Sequence, residues 1–311
     1  MTFCATVNAI LHAGLKPVLA DVQAGTFNVD PAAIEARISP RTRAIVPVHF
    51  AGRPCCMDRI LAIASKYDLK IIEDCAHAIE TEYHDQKAGT FGDFGCFSFY
   101  VTKNVVTGEG GMVISNSDIE RIKVLALHGM SKDAWKRFSD DGYKHYQVWE
   151  CGYKYNMTDL QAAIGIHQLA RVEFNWLRRE AVWSRYQEAF ADLPVGIPLA
   201  PETDTRHAYH LYTILVDEKQ AGISRDRFLS AMTARRIGVG VHYLSLPEHP
   251  YYQAAMGWEP QDYPIAQSIG RQTVSLPLSS RLTDADVDYV IDSVRAIFKS
   301  NKPFAPGTGL R

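Results

Sequence analysis

Short apolar runs alternate with helical patterns through the first half of the chain. We predict strands at residues 16–22, 44–50, 70–75, 96–100 and 111–115. Most of these runs are rich in Val, Ile and Phe and lack polar alternation, which is typical of strands buried on both faces of a parallel sheet. Strands that alternate with helices in this way predict an α/β fold.

Three capping signals mark the beginnings of helices. Asp30 precedes Pro31, which suits the first helical position, and Ser117 and Thr158 each stand three residues before a Glu or Gln. The stretch 157–190 contains no proline and is the longest helical pattern in the chain. About 30 helical residues would span roughly 45 Å, so this stretch is predicted to connect two domains, either as one helix or with a break.

The pattern changes after this stretch. Strands are predicted at 210–216 and 238–244 and a helix at 224–236, and a last helix opens at Thr283. The apolar residues of that last helix share one face at helical spacing: Val287, Val290, Ile291, Val294, Ile297 and Phe298. The chain is therefore predicted to form a large domain at 1–180 and a small α+β domain at 181–299, followed by a flexible tail at 300–311.

Composition narrows the classes of function. The 311 residues carry 33 Lys and Arg against 35 Asp and Glu, a net charge of −2, which argues against a nucleic-acid-binding surface. Hydrophobic residues make up 47% of the chain, but none of the apolar runs approaches the roughly 18–20 residues of a membrane span. The six cysteines form no CxxC pair and are too sparse for a disulfide framework, so we predict a cytoplasmic protein without a metal site.

Candidate chemistry is concentrated at residues 70–112. Asp74 ends the apolar run KIIED, and ligands of open α/β sheets bind at the carboxyl ends of strands. Asp74 therefore belongs either to a binding site or to the cap of a following helix. His77 follows three residues later and is either a site residue or a surface or satisfied histidine.

A second apolar run, CFSFY, leads to a glycine-rich segment. Lys103 follows the carboxyl end of this predicted strand and would face the same crevice as Asp74, although a loop lysine is usually solvated. Ser98 is either packed within the strand or a phosphate ligand. The glycines of the segment TGEGG allow a tight turn and a close approach to another group.

Together these residues suit the chemistry of pyridoxal phosphate (PLP). A lysine amine forms a Schiff base with an aldehyde cofactor, an aspartate keeps the cofactor's pyridine nitrogen protonated, and the protonated ring acts as an electron sink. Only on the order of 0.1% of an ordinary lysine is neutral at neutral pH. Burial beside a cationic ring would lower the pKa of Lys103 toward the neutral form that this chemistry needs.

Seven stretches resemble the DegT/DnrJ/StrS family of PLP-dependent sugar aminotransferases. They are TFCATVNAILHAG, RTRAIVPVHFAGRP, IIEDCAHAI, FGDFGCFSFYVTKNVVTGEGG, LHGMSKDAWKRF, GYKYNMTDLQAAIGIHQL and SLPLSSRLTDADVDYVI. The TKN and TGEGG block with an upstream EDCAHA is highly specific. The resemblance implies the aspartate-aminotransferase-like α/β fold, with a mostly parallel sheet in a large PLP-binding domain and a small α+β C-terminal domain.

The resemblance also implies roles for single residues. Lys103 and Asp74 are the expected catalytic residues: Lys103 bonds to PLP and moves the substrate proton, and Asp74 is the partner of the pyridine nitrogen. His77 is expected near the cofactor's phenolic oxygen, Ser98 on its phosphate, and the Phe3 ring against its pyridine ring.

Three further assignments concern the partner subunit and the substrate. Asn156 is expected to reach the phosphate of the neighbouring subunit's cofactor, which implies a homodimer with shared active sites. His242 and Tyr243 are expected near the sugar-nucleotide cleft, or else are strand residues of the small domain. The implied reaction moves an amino group from an amino acid, L-glutamate, to a nucleotide-linked keto sugar in cell-surface polysaccharide or amino-sugar biosynthesis.

The sequence departs from the family pattern at two places. It begins at Thr2-Phe3, the equivalent of the family's second strand, without the N-terminal arm, the first strand and the helix whose amino end cups the phosphate, so weaker PLP binding is expected. Glu80 stands where the family commonly has glycine. The alternatives are an inactive or weakly active truncated homologue, a regulatory protein, and a PLP-dependent sugar dehydratase. Lys103 disfavours the dehydratase, because that branch has histidine in place of this lysine.

Overall fold

The computed structural model describes residues 1–117, 119–131 and 145–300. The helices of this part of the chain are α1 Cys4–His12, α2 Pro31–Ala36, α3 Met57–Tyr67, α4 Ile119–Leu125, α5 Asp159–Leu169, α6 Val172–Phe190, α7 Glu218–Ala221, α8 Arg225–Ala234, α9 Pro250–Met256, α10 Pro264–Gln272 and α11 Asp284–Ser300. Its strands are β1 Ala44–Ile45, β2 Lys70–Asp74, β3 Glu82–Tyr83, β4 Gln86–Lys87, β5 Phe94–Ser98, β6 Gly111–Ser115, β7 Thr205–Arg206, β8 Tyr212–Leu215 and β9 Thr273–Leu276.

The central sheet has the strand order β1–β2–β5–β6. β1 and β5 run parallel to β2 on its two sides, with Ala44 opposite Lys70 and Asp74 opposite Cys96. β6 pairs antiparallel with β5. The sheet is therefore mixed and mostly parallel, and the predicted α/β class is confirmed. Two smaller sheets pair β4, β3 and β7, and β8 with β9.

Three of the predicted strands are wrong in whole or in part. Residues 16–22 form no strand, and their one ladder contact is a bridge from Val22 to Val29. The run 44–50 yields a strand of only two residues. The run 238–244 pairs with β9 only through a single bridge at Gly240.

Helices and loops, rather than strands, cover several apolar side chains of residues 16–22, whereas Val18 is 61% exposed. Leu19 packs against the cluster that contains Val7 of α1 and Trp258, and Val22 packs in the cluster that contains Phe27. An apolar run indicates burial, but it does not specify which kind of element supplies the covering surface.

The predicted helix starts agree with the structure better than the predicted strands do. The Asp30 carboxylate accepts a hydrogen bond from the Ala32 N–H at the start of α2. Thr158 and Gln161 form a capping box at the start of α5. The predicted long helix is interrupted between Leu169 and Val172, so α5 and α6 are separate helices. The pair Ser117 and Glu120 spans residue 118, which lies outside the described residues.

The largest buried cluster lies where α6, α8 and α11 pack against β8 and β9. As predicted, α11 buries one face of its side chains there: Val287, Val290, Val294, Ile297 and Phe298, with Ile291 partly buried. Ser300, predicted as the first residue of the tail, is the last residue of α11, and residues 301–311 lie outside the described residues. None of the helices in the described part of the chain is long and apolar enough to cross a lipid bilayer.

Candidate active site

The site is built at the carboxyl ends of two adjacent parallel strands. β2 ends at Asp74 and β5 ends at Ser98, and Asp74 lies opposite Cys96 in the ladder between them. Lys103 follows β5 in a turn closed by its own backbone N–H, which donates to the Tyr100 carbonyl at 2.9 Å. The topology of the sheet therefore brings the predicted lysine and aspartate to one edge.

Both carboxylate oxygens of Asp74 have hydrogen-bond donors. Oδ2 accepts from the Thr6 hydroxyl at 2.7 Å, and Oδ1 accepts from the Ala76 N–H at 3.1 Å. The residues after Asp74 form turns rather than a helix, so the alternative that Asp74 caps a following helix is wrong. The carboxylate is half-buried and remains beside the crevice.

The Lys103 side chain is half-buried, and burial lowers the pKa of its amine. The negative charge of Asp74 acts against this shift, which shows that the two charges are close enough to interact. The alternative of a fully solvated loop lysine does not describe this side chain. A lowered pKa increases the neutral fraction, and the neutral amine is the nucleophile.

His77 is buried, and both of its ring nitrogens have hydrogen-bond partners. Nδ1 accepts from the Ala51 N–H at 3.2 Å, so Nε2 carries the proton of the neutral ring and donates to the Tyr243 hydroxyl oxygen at 3.2 Å. Burial, together with the positive charges of Lys103 and His242, holds the pKa of His77 well below its usual range. The ring is therefore neutral at physiological pH.

Aromatic side chains line the same region. The Tyr243 ring centroid lies 5.6 Å from that of Phe3 and 6.2 Å from that of Phe50. Burial raises the pKa of the Tyr243 hydroxyl, so it keeps its proton. His242 Nδ1 bonds the Ser275 hydroxyl at 2.7 Å, and burial and Lys103 lower the pKa of His242.

Two further predicted site residues, Ser98 and Asn156, make only local hydrogen bonds. The Ser98 hydroxyl is half-buried and accepts from the Tyr100 N–H at 3.4 Å. Asn156 bonds locally to Lys154 and to the Met157 carbonyl. These bonds do not join Asn156 to the other predicted site residues within the described part of this chain.

Sequence reasoning missed three residues that contact the site. Thr6 bonds Asp74 from 68 residues away, and nothing in the local sequence marks it. Asn104 directly follows Lys103, so its place in the sequence could have identified it as a residue near the site. The His210 ring centroid lies 4.2 Å from that of His77, and only its place at the start of the predicted strand 210–216 pointed to a buried role.

The donor set fits PLP. A half-buried lysine with a lowered pKa suits the aldehyde, a carboxylate beside it suits a protonated pyridine nitrogen, and the Ser98 hydroxyl suits a phosphate. A neutral histidine and a protonated tyrosine add hydrogen-bonding groups at the same edge. These residue types match the predicted cofactor without requiring a metal.

Comparison with known proteins gives one consistent result. The model of the DegT/DnrJ/EryC1/StrS aminotransferase family matches residues 1–295. The chain is 47% identical over 302 residues to the spore coat polysaccharide biosynthesis protein SpsC of Bacillus subtilis (strain 168), an alignment that covers 96% of this chain and 78% of SpsC.

Three solved structures, two of them forms of one protein, show the same similarity. Spr1654 from Streptococcus pneumoniae in its PMP-form superposes with a TM-score of 0.88 at 30% identity, covering 97% of this chain and 81% of that chain. Its PLP-form gives a TM-score of 0.87 at 29% identity, with coverage of 97% and 80%. PseC of Helicobacter pylori, an aminotransferase involved in the biosynthesis of pseudoaminic acid, gives a TM-score of 0.88 at 30% identity, with coverage of 96% and 78%.

Proposed function

Because the chain belongs to the DegT/DnrJ/EryC1/StrS aminotransferase family, we propose that it transfers an amino group from L-glutamate to a keto sugar carried on a nucleoside diphosphate. It is a PLP-dependent transaminase with the aspartate-aminotransferase-like fold, and its family aminates sugars. The proposal adds the identity of the donor and the nucleotide on the acceptor. The observation that carries the assignment of amino-transfer chemistry is the partly desolvated amine of Lys103 beside Asp74.

Lys103 and Asp74 are proposed as the catalytic residues. Bound PLP supplies an electron sink that stabilises negative charge on the carbon next to the amine. Lys103 would hold the cofactor, and its amine of lowered pKa would then move a proton from the substrate carbon to the cofactor carbon that keeps the nitrogen. Asp74 holds a proton on the pyridine nitrogen through its negative charge, and Thr6 and Ala76 orient its two oxygens.

The remaining polar groups are proposed to orient the cofactor. His77 and Tyr243, which are bonded to each other, would lie toward its phenolic oxygen, and Ser98 would bind its phosphate. The apolar ring of Phe3, which contacts Tyr243, would pack on its pyridine ring. His242 lies near enough to Lys103 for the two charges to interact, which suits a group at the sugar end of the crevice. We do not propose carbon–oxygen cleavage, because the lysine of the site is intact.

We propose that two copies of the chain form a homodimer with shared active sites. α5 has apolar residues but buries none of its side chains in the single chain. Leu160 is 80% exposed, Ile166 68%, and Phe174 of α6 67%. A second copy would cover this apolar surface and would bring Asn156 toward the neighbouring site. Sedimentation of the PLP-loaded protein tests this, and a monomer would contradict it.

Two further proposals concern the chain as a whole. We place the division between the large and small domains near residue 180, which is within α6. Side chains from Val182 onward enter the cluster formed with β8, β9 and α11. We place the protein in the cytoplasm, because all six cysteines are free thiols. Limited proteolysis tests the first proposal, and fractionation of the source cells tests the second.

The proposed reaction is tested in its two halves. PLP-loaded protein is mixed in a stopped-flow instrument with L-glutamate, L-glutamine and L-aspartate, and loss of the visible cofactor absorbance reports amino transfer. We expect L-glutamate to react fastest. The aminated protein is then mixed with keto sugars that carry or lack a nucleoside diphosphate, and products are identified by mass spectrometry.

The outcomes of this experiment separate the alternatives. A nucleotide-linked amino sugar supports the proposal. Equal reaction of the free sugar would remove the nucleotide from it, and faster reaction with another amino acid would remove L-glutamate. A deoxygenated sugar without a new amine would indicate the dehydratase reaction.

A further inference from the structure

Glu80 is a buried carboxylate for which the proposed reaction has no use. It lies in the turns that follow Asp74, and its side chain is 1% exposed. One oxygen is in an ion pair with Arg179 of α6, which is itself buried. The other oxygen accepts from Nδ2 of Asn104 at 2.8 Å. A buried charge is costly unless it is paired and hydrogen-bonded, and Glu80 has both kinds of partner.

Asn104 is the residue that directly follows Lys103. Its Nδ2 donates to Glu80 and also to the Ala208 carbonyl, at 3.0 Å, so both amide hydrogens are used. Its Oδ1 therefore faces Nδ1 of His210, at 2.8 Å. Because an amide oxygen is only an acceptor, Nδ1 of His210 carries the proton of the neutral ring.

The His210 ring extends this network to the active centre. Its centroid lies 4.2 Å from that of His77, whose Nε2 bonds the Tyr243 hydroxyl. Burial, together with electrostatic interactions with the His77 ring and Lys103, keeps the pKa of His210 well below its usual range. A continuous set of contacts therefore runs from Glu80 through Asn104 and His210 to the group beside Lys103.

We propose that Glu80 is a positioning residue of this active centre. Through Asn104 it fixes the turn that carries Lys103, and it determines which nitrogen of His210 is protonated. Arg179 balances its charge and donates from Nε to the same Ala208 carbonyl, at 3.4 Å, so that the donors converge on one point of the backbone. The proposal rests on the role assigned to Lys103 under the proposed function.

Two substitutions separate positioning from a purely structural role. Asn104→Ala removes the link and leaves the ion pair between Glu80 and Arg179 intact. Glu80→Gln keeps the shape of the side chain but removes its charge. Glu82→Gln is the matched control: it lies two residues further on, and its ion pair with Lys87 is at the surface.

Two readouts are independent of turnover. Long-range proton–nitrogen NMR of histidine-labelled apoprotein reports the tautomer of His210, and absorbance titration gives the Kd for PLP. We expect both Asn104→Ala and Glu80→Gln to lose the Nδ1-protonated form of His210. We also expect PLP binding on the order of tenfold weaker, the size of one lost hydrogen bond to a charged group. Glu82→Gln should change neither readout.

The proposal is overturned if Asn104→Ala keeps the His210 tautomer and the wild-type Kd, because the network would then serve folding alone. If Glu80→Gln does not fold, Asn104→Ala decides the question. These readouts also distinguish the two proposals. An expected response in a protein that aminates no nucleotide-linked sugar would refute the proposed acceptor and leave the positioning role standing.

Discussion

Glu73 and Asp74 are neighbours on β2, yet their carboxylates lie in opposite kinds of surroundings. Side chains alternate across a strand, so the two point to opposite faces of the sheet. Glu73 is fully buried and accepts from the backbone N–H groups of Gly89, Phe91 and Gly92 at 2.7–2.8 Å. Asp74 is half-buried and has one hydroxyl and one backbone donor, with Lys103 close by.

His49 and His77 are both buried, but their ring nitrogens have different partners. His49 donates from Nε2 to Glu73 at 3.1 Å and accepts from the Cys55 N–H at Nδ1. Because the Cys55 N–H is a donor, Nδ1 of His49 carries no proton, and the single proton of the neutral ring lies on Nε2, toward the Glu73 carboxylate. His77 is also neutral, but its Nε2 donates to the Tyr243 hydroxyl instead of a carboxylate.

The comparison indicates that Glu73 serves the stability of the fold and that Asp74 serves the chemistry of the site. The two oxygens of Glu73 accept hydrogen bonds from His49 and from three backbone N–H groups, so this carboxylate is the centre of a buried hydrogen-bond network. The Asp74 side keeps a lysine of lowered pKa and a half-buried carboxylate at a crevice. Substitutions on the two faces of β2 should therefore affect different measurements.

The largest effect is expected from Lys103→Ala. Loss of the amine removes both the bond to PLP and the proton carrier, so transfer from L-glutamate should slow by at least about ten-thousandfold. The visible absorbance of bound cofactor should also be lost. The matched control is Lys70→Ala at the other end of β2, where the amine is exposed and paired with Asp93. Wild-type turnover in the Lys103 variant would disprove the assignment.

Asp74→Asn should slow the L-glutamate half-reaction by about a thousandfold. The amide keeps the size of the side chain but lacks the charge that holds the pyridine nitrogen protonated. PLP binding and the melting temperature should change little, because the bond from Thr6 can still form. A wild-type rate in stopped flow would show that the carboxylate serves only its bonds to Thr6 and Ala76.

Glu73→Gln should have the opposite effect to Asp74→Asn: it should lower stability and leave activity nearly unchanged. The substitution places an NH2 group among donors that bonded a carboxylate oxygen, so buried N–H groups lose their acceptor and the free energy of unfolding should fall by about 3 kcal/mol in urea titrations. Activity per folded molecule should persist. The control is Glu82→Gln, whose pair with Lys87 is partly exposed and should contribute less than about 1 kcal/mol. If Glu73→Gln loses activity without losing stability, the division between the two faces is wrong.

Much of the arrangement of the proposed active site could be predicted from local sequence. Asp74 and Lys103 follow apolar runs, and the carboxyl ends of neighbouring parallel strands meet at one edge. The apolar face of α11 was likewise readable from its spacing. These features depend on the periodicity of single elements, which the sequence displays directly.

Features that depend on distant pairing could not be predicted. The ion pair between Glu80 and Arg179 joins residues 99 positions apart, and the bond from Thr6 to Asp74 spans 68 positions. Neither pair leaves a periodic signal. Residues 16–22 carry a pattern that is compatible with a strand, but helices and loops cover Leu19 and Val22, and Val18 stays exposed.

The smallest expected effect concerns the neutral state of His77. The unfolded chain binds a proton to this ring below about pH 6.5, whereas the folded protein, in which burial lowers the pKa of His77, does not. The unfolded state therefore binds more protons, and the free energy of unfolding falls as the pH falls through this window.

His77→Gln isolates this contribution, because glutamine can accept from the Ala51 N–H and donate to Tyr243 without titrating. Between pH 6.5 and 5 the wild type should lose up to about 1.4 kcal/mol more stability per pH unit than the variant. Urea titrations at matched ionic strength measure the two slopes, and above pH 7.5 the difference between the proteins should stop changing. Parallel slopes throughout would mean that the folded protein protonates His77 as readily as the unfolded chain does. The neutral state assigned to the folded His77 ring would then be wrong.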